Sequence, residues 1–307
     1  MIDRRWITAY GGVSSSRWPI IIPYGETLVP QSDRGPLIVD SVTHLKPEHR
    51  GGAVLCASHG GRYAGYYAAS KGVAAVILND AGIGREAAGL GSLPFLAGLG
   101  VPAATVSHIS GRIGDGADCY ARGVLSAVNG PGIALGLHVR MPCREAMAVL
   151  AQAKGPPSPE PPAEDEHRHV ITDAGRDGIS VIVIDSVSLV KPEDAGQIII
   201  SASHGGLLGG KPETAVKVPV FAAVYNDADR GIDDAGVCRL PALDARGIAG
   251  ACVQAFSARI GDGLSTYNDG YISALNETAR LHGGEIGQSC RAFVAAMVEA
   301  RSREQQR

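Results

Sequence analysis

Ala57-Ser58-His59-Gly60-Gly61 occurs a second time in this chain, as Ala202-Ser203-His204-Gly205-Gly206. The residues around the two pentapeptides also match in order, at an offset of 145 positions that becomes 147 after a two-residue insertion. The other matching segments are Asp40-Ser41-Val42 with Asp185-Ser186-Val187, Asn79-Asp80-Ala81 with Asn226-Asp227-Ala228, and Arg112-Ile113-Gly114-Asp115-Gly116 with Arg259-Ile260-Gly261-Asp262-Gly263. A repeat of this length indicates a duplicated structural unit and decides the architecture.

The boundaries of the repeat divide the chain into five segments. Residues 36–154 form the first α/β repeat and residues 178–301 the second. Residues 1–35 are an N-terminal extension in which Ile20-Ile21-Ile22 could add a strand, and Val170-Ile171 could add the corresponding strand before the second repeat. Residues 155–177 form a proline-rich, acidic linker, and residues 302–307 form a tail.

Within one repeat, short aliphatic runs alternate with helical patterns. The first repeat is predicted to contain strands at 37–39, 53–57, 73–78 and 101–106, and helices at about 62–71, 86–99, 116–128 and 143–153. Strands that are aliphatic throughout are typical of a parallel sheet covered on both faces. The sequence therefore predicts an α/β fold: a tandem duplication of a mostly parallel-sheet, three-layer unit with pseudo-twofold symmetry.

The bulk properties exclude several classes of function. The formal net charge of −3 over 307 residues gives no electrostatic basis for binding nucleic acid. No apolar run approaches the roughly 20 residues needed to cross a bilayer, and the first residues lack the apolar core of a signal peptide. The six cysteines show no CxxC spacing. We expect a cytoplasmic protein with reduced thiols that binds neither nucleic acid nor membrane, and a homo-oligomer stays open.

The repeated polar residues follow the last apolar residue of each predicted strand. In an open parallel sheet these ends share one edge, where ligands bind. His59 and His204 are the candidates for proton transfer near neutral pH, and Asp80 and Asp227 could orient them or activate water. Further catalytic candidates are Ser58 and Ser203. The structural alternative is that the serines cap helices, that the histidines pack against the rim of the sheet, and that the Asn-Asp pairs form Asx turns.

A second group of repeated residues is predicted to bind the ligand. Backbone N–H groups beside the paired glycines could bind an anion, and an arginine could bind a substrate carboxylate. The ligand-binding candidates are Gly60, Gly61, Asn79, Arg112 and Asp115 in the first repeat, and Gly205, Gly206, Asn226, Arg259 and Asp262 in the second. For Asp115 and Asp262 a local ion pair with the arginine three residues earlier is the structural alternative.

A metal site could be assembled from Asp40, His59, Asp80 and Asp115. No local ligand spacing such as HExxH supports it. We therefore assign no metal ligand and expect no cofactor, with a metal ion as the minor alternative.

A strand that ends in His-Gly, followed by a strand that ends in a short polar motif, resembles the layout of caspase-type cysteine peptidases. In that family an Ala-Cys pair stands at the second strand end. Here Asn79-Asp80 and Asn226-Asp227 stand there instead. The resemblance covers about fifty residues of each repeat, bears on the fold, and argues against proteolysis because the nucleophilic cysteine is missing.

These patterns favour an enzyme, a hydrolase that acts on a small polar metabolite with a carboxylate or amide group, such as a small amide or cyclic imide. The histidines would transfer protons and the arginines would anchor the substrate. Two alternatives remain open. The chain could be a non-catalytic metabolite-binding or regulatory protein, or a lyase or isomerase that uses the same His–Asp pair.

Overall fold

The computed structural model describes residues 36–153, 160–171 and 176–306. Each repeat forms its own sheet, which confirms the predicted α/β duplication. The first sheet has the order β1-β2-β3-β4-β5, and the second has the order β11-β10-β9-β8-β7-β6. The strands of the first sheet are β1 Leu37–Val39, β2 Ala53–His59, β3 Ala75–Asn79, β4 Ala103–Val106 and β5 Leu125–Val128. Those of the second are β6 Arg168–Val170, β7 Val181–Ile184, β8 Ile198–His204, β9 Ala222–Asn226, β10 Ala249–Val253 and β11 Ile272–Leu275.

Parallel pairing joins β1 through β4 and, in the second sheet, β7 through β10. The last strand of each repeat, β5 or β11, pairs antiparallel with its neighbour. In the first repeat the helices are α1 Arg62–Ser70, α2 Ser92–Gly98, α3 Gly116–Arg122, α4 Gly130–Ala134 and α5 Cys143–Leu150. In the second they are α6 Arg239–Asp244, α7 Gly263–Asp269, α8 Glu277–Leu281 and α9 Cys290–Gln305. Buried aliphatic clusters cover both faces of each sheet, as the aliphatic strands predicted.

One predicted helix is wrong in its second half. Residues 116–128 were expected to form one helix, but α3 ends at Arg122 and β5 begins at Leu125. Gly123 leaves the helix with its N–H bonded to the Cys119 carbonyl. The next residues then pair antiparallel with β4, so strand pairing with a neighbour outweighs local helix propensity.

The described parts of the linker and of the predicted tail also carry structure. The expected extra strand before the second repeat is present as β6, which pairs antiparallel with β7. Within the predicted linker, Glu164 forms an ion pair with Arg62 of α1, with Oε1 and Nη2 2.6 Å apart. Helix α9 continues to Gln305, into the predicted tail. The expected strand at Ile20-Ile21-Ile22 lies outside the described residues.

The two repeats meet at the carboxyl ends of their strands. A small apolar cluster at this interface contains residues that follow those strand ends in both repeats, namely Ala81, Ile113, Ala228, Ala235 and Ile260. Contacts across the interface occur in matched pairs: the Arg85 N–H donates to the Ala255 carbonyl at 2.9 Å, and the Ile232 N–H donates to the His108 carbonyl at 2.8 Å. The repeated rims therefore face each other. Among the described helices, none has both the length and the apolar character that a membrane crossing requires.

Candidate functional site

The repeated histidines end the second parallel strand of each sheet. The register of β2 against β3 shifts between Leu55 and His59, so that His59 pairs with Asn79. The same shift in β8 places His204 opposite Asn226. An irregularity of this kind in a strand re-aims the side chains that follow it. The same register shift therefore positions both histidines at the same edge of their sheets.

Each imidazole accepts a hydrogen bond from the backbone two residues further on. The Gly61 N–H donates to Nδ1 of His59 at 3.2 Å, and the Gly206 N–H donates to Nδ1 of His204 at 3.1 Å. A backbone N–H can only donate, so Nδ1 must be unprotonated in both rings. In the neutral state the ring proton is then on Nε2, and each histidine offers an N–H donor there.

Burial keeps both rings neutral at physiological pH. It lowers the pKa of His59 to about 4. The pKa of His204 is also lowered, first by burial and then by the positive charge of Arg239. His204 is only 5% exposed, whereas His59 is half-buried. A neutral imidazole with its proton on Nε2 acts as a hydrogen-bond donor rather than as a base.

Each ring lies against the opposite repeat. A Cβ atom added to Gly261 would lie 3.4 Å from Cε1 of His59, and one added to Gly114 would lie 3.2 Å from Cε1 of His204. The glycines belong to the repeated Arg-Ile-Gly-Asp-Gly segments. Each histidine ring therefore lies beside a glycine of the opposite repeat, at the interface between the two repeats.

Ser58 and Ser203 are buried and hold the neighbouring strand end in place. The Oγ of Ser58 accepts the Val42 N–H at 2.8 Å, and the Oγ of Ser203 accepts the Val187 N–H at 2.9 Å. These bonds fix the turn that follows β1 or β7. The serines therefore hold neighbouring turns. They do not cap the segments after Gly61 and Gly206, as the structural alternative had it, because α1 begins after Gly61 without a side-chain cap.

The predicted Asx turns form after β3 and β9. Asn79 Oδ1 accepts the Ala81 N–H, and Asn226 makes the same bond to Ala228, both at 2.9 Å. The Asp80 carboxylate accepts hydrogen bonds from the N–H groups of Gly82 and His108.

Asp80 also meets the His108 ring, with Oδ1 and Nδ1 2.9 Å apart. Asp227 accepts the N–H groups of Asp229 and Ala255 and the hydroxyl of Ser273. Burial, only partly offset by these bonds, raises the pKa of Asp227. Within the described ranges, no hydrogen bond or ion pair links either carboxylate to His59 or His204.

The backbone donors of the paired glycines are already bonded within the chain. The N–H groups of Gly60 and Gly205 donate to the carbonyls of Asn79 and Asn226. Those of Gly61 and Gly206 donate to the histidine rings. Helix α1 does begin directly after Gly61, as expected, but α1 has no counterpart after Gly206.

The repeated arginines bind carboxylates of the chain itself. Arg112 pairs with Asp233 of the second repeat, and Arg259 pairs with Glu86 of the first repeat and with Asp262. Asp115 and Asp262 cap helices α3 and α7 with their side chains. These four residues therefore join the repeats and start helices, which agrees with the structural alternative for the aspartates.

Clusters of three or more histidine, cysteine or carboxylate side chains with metal-binding geometry are not found in the described ranges. Three of the four residues suggested as metal ligands form hydrogen bonds to other parts of the chain instead. Asp40 accepts the Gly116 N–H, Asp115 accepts the Asp118 N–H, and Asp80 binds His108. We assign no ligand set to these residues.

Sequence reasoning missed two features of the interface. The first is Arg239, which stands where the first repeat has Ser92 and is 1% exposed. The second is a group of non-glycine residues with left-handed backbone in the loops after β3 and β9: Ala81, Ile83, Glu86, Ala87, Ala228, Asp229, Arg230, Asp233 and Asp234. Comparing the repeats position by position reveals Arg239. The left-handed residues have no compositional signature, and such strain is often held at functional sites.

Comparison of the chain with protein-family models, with curated proteins and with solved structures found no match.

Proposed function

We propose that this protein is a small-molecule hydrolase whose site lies between the repeats, at His59 and His204. Its substrate would be a small polar metabolite with an amide, imide or carboxylate group. One observation carries the proposal: two neutral imidazoles, one from each repeat, are held with the proton on Nε2 at the same interface.

The chemistry of this pair favours polarisation of a carbonyl group. In the proposal, water adds to the carbonyl carbon, and the Nε2–H groups donate to the carbonyl oxygen and stabilise the negative charge that develops there. The tetrahedral species then collapses with cleavage of the C–N bond, and the proton lost by the attacking water passes through solvent to the leaving nitrogen. Preorganised donors in a desolvated site are strong because they need no rearrangement as the charge appears. A neutral histidine of lowered pKa is suited to this electrophilic role. Asp80 and Asp227 then serve to shape the loops around the site instead of activating the histidines.

Substitutions that keep or remove the donor at Nε2 test this role. The amide nitrogen of glutamine can replace Nε2–H, whereas leucine cannot donate. Against a panel of small amides and cyclic imides, we expect His59→Leu and His204→Leu to reduce kcat by about 10²- to 10³-fold each. The glutamine variants should keep part of the activity. His138→Leu, at an exposed position, is the matched control. Full turnover by the double leucine variant would overturn the proposal.

The protonation state can be measured without a substrate. In an NMR titration, the His59 ring should stay neutral, with its proton on Nε2, down to about pH 4. If His59 titrated near its ordinary pKa of about 6.5, Nδ1 would take up a proton just below neutral pH and could no longer accept the Gly61 N–H, and the proposed buried, neutral ring would be wrong.

A second function, non-catalytic metabolite binding, is supported by the hydrogen bonds of Asp80 and Asp227, which leave the histidines without a carboxylate partner. It predicts that members of the same panel raise the melting temperature by binding the folded state. Such stabilisation without any turnover would favour this function over hydrolysis.

A further inference from the structure

The repeats differ most in the segment after the His-Gly-Gly sequence. In the first repeat, α1 packs against α2: a Cβ added to Gly65 would lie 2.8 Å from Cβ of Ser92, and the rings of Tyr66 and Phe95 meet edge to face. In the second repeat, two short 3-10 turns, Leu208–Gly210 and Pro212–Thr214, replace this helix. Helix α6, the counterpart of α2, therefore lacks the helix that covers α2.

The missing helix leaves a space beside α6, and two residues of the second repeat determine its shape. Arg239, in the place of Ser92, fills its inner end and donates to the carbonyls of Gly206, Thr214 and Ala215. Ala242 stands where the first repeat has the bulky Phe95. The result is a groove of about 630 Å³ on α6, with apolar walls that include Leu207, Val216, Pro241 and Ala242. Its volume lies within the range of about 300 to 1,000 Å³ typical of small-molecule sites.

The charges around the groove favour an anion. Lys217 and Arg246 both line it, against one acidic residue, Glu213. Lys217 is exposed and has no ion-pair partner among the described residues. Arg246 donates to the backbone carbonyls of Val216 and Val218, at 2.8 and 3.4 Å, and forms no ion pair within the part of the chain that the structure describes.

We propose that this groove binds an apolar carboxylate, an amphiphilic acid whose hydrocarbon part lies on Leu207, Val216 and Ala242 while its carboxylate pairs with Lys217 and Arg246. The apolar walls contribute hydrophobic binding free energy that grows with the buried area of the ligand. The two cationic side chains favour a ligand with a negative charge. This binding site lies on α6 and does not depend on the proposed hydrolase activity.

Cys238 allows the groove to be monitored directly. It lines the groove and is partly exposed, whereas the other five cysteines, all within the described ranges, are buried. A thiol reagent such as 5,5′-dithiobis(2-nitrobenzoate) should therefore modify Cys238 in the folded protein. The Cys238→Ser variant should abolish this reaction and verifies the assignment.

The test measures the modification rate with increasing decanoate, and with decanol as the uncharged control. We expect decanoate to slow the reaction to a saturating limit and decanol to protect less. Ala242→Phe, which restores the ring of the first repeat, should abolish protection. Lys217→Gln should weaken decanoate binding by about two- to fivefold, and Lys71→Gln, in the first repeat, should not change it.

Ala242→Phe could disturb folding, so a second variant is needed. Ala245→Glu places a negative charge at an exposed position of the groove and should weaken decanoate binding without affecting the fold. The His59→Leu variant, which removes only the ring of the first repeat, should bind decanoate normally, which separates this site from the proposed hydrolase site. The proposal would be refuted if decanoate did not protect Cys238 in the wild-type protein. It would also be refuted if decanoate protected Cys238 in both Ala242→Phe and Ala245→Glu as well as in the wild type.

Discussion

Arg112 of the first repeat and Asp233 of the second form an ion pair across the interface, with Nη2 and Oδ2 2.8 Å apart. Arg259 and Glu86 repeat this relationship at the matching positions, with Nη1 and Oε1 3.2 Å apart. The conserved spacing of these arginines in the two repeats therefore has a structural cause. Each arginine binds an acidic residue of the opposite repeat and helps to fix the pseudo-twofold arrangement.

The Arg112–Asp233 pair should contribute to stability only at low ionic strength. Both side chains are nearly half exposed, at 44% and 46%, so solvent ions can screen their attraction. We expect a double-mutant cycle with Arg112→Gln and Asp233→Asn, followed by thermal unfolding, to show a small favourable coupling. The coupling should largely vanish near about 1 M salt, where the Debye length is about 3 Å. A coupling that does not change with salt would mean that another contact joins these residues.

His108 should make stability depend on pH. Burial disfavours its charged form, but the hydrogen bond and charge of Asp80, with a smaller contribution from Asp229, outweigh this effect and raise the pKa of His108. A raised pKa in the folded state stabilises the protein fully below the unfolded value of about 6.5, and this stabilisation is lost as the pH rises through the raised value.

The second repeat supplies the matched substitution for this test, because Ala255 occupies the position of His108. The melting temperature of the wild type should exceed that of His108→Ala most clearly below about pH 6.5, and the difference should decrease towards alkaline pH. A difference that grows with pH would contradict the assigned sign.

Arg239 should be among the most sensitive positions for stability. Its guanidinium is buried, donates to three backbone carbonyls and stacks over Tyr225. Arg239→Met would fill much of the volume but leave these carbonyls without donors. We expect urea unfolding to show a loss of about 3 to 5 kcal/mol, since each unsatisfied buried group costs about 1 to 3 kcal/mol. Arg280→Met, on exposed α8, should change stability little, and a similar small effect at Arg239 would show that water satisfies the carbonyls.

The mostly parallel character of the sheets could be predicted because the aliphatic runs of their strands are continuous and covered on both faces. The order of the strands could not. The strand β5 could not, since residues 116–128 have a composition compatible with a helix and only pairing with β4 decides otherwise. The long helix predicted at 86–99 is likewise divided into a 3-10 segment, Arg85–Leu90, and α2, because Glu86 and Ala87 adopt left-handed backbone. Local patterns report burial and periodicity, whereas these features depend on contacts distant in sequence.

The site was predictable to a smaller extent. The repeat placed His59 and His204 at strand ends, and the structure has them there. What the sequence could not reveal is that the two rims face each other, so that each ring lies on the opposite repeat. Hydrophobic patterns indicate which face of a sheet is buried, but not which edges of two sheets meet. The hydrogen bonds that occupy Asp80 and Asp227 are equally a consequence of the tertiary structure.

Gly114 and Gly261 allow a test of how closely the two repeats pack. They occupy matching positions and have the same backbone dihedral angle φ, but different atoms surround them. Both have φ of +83°, where a side chain is strained. A Cβ at Gly114 would collide with the Leu207 carbonyl oxygen and press on His204, whereas a Cβ at Gly261 would meet only Cε1 of His59 at ordinary contact distance. Alanine should therefore be tolerated better at Gly261.

We expect Gly261→Ala to cost about 1 to 2 kcal/mol, the penalty of left-handed backbone for a residue with a side chain. Gly114→Ala should cost about 1 to 3 kcal/mol more, because the collision adds the cost of overpacking. Gly247→Ala is the control for backbone strain alone, since Gly247 has φ of +65° and open space around its Cβ position. Urea unfolding of the three variants measures these differences. Equal losses at Gly114 and Gly261 would show that His204 and Leu207 do not pack on the first repeat as closely as the structure indicates.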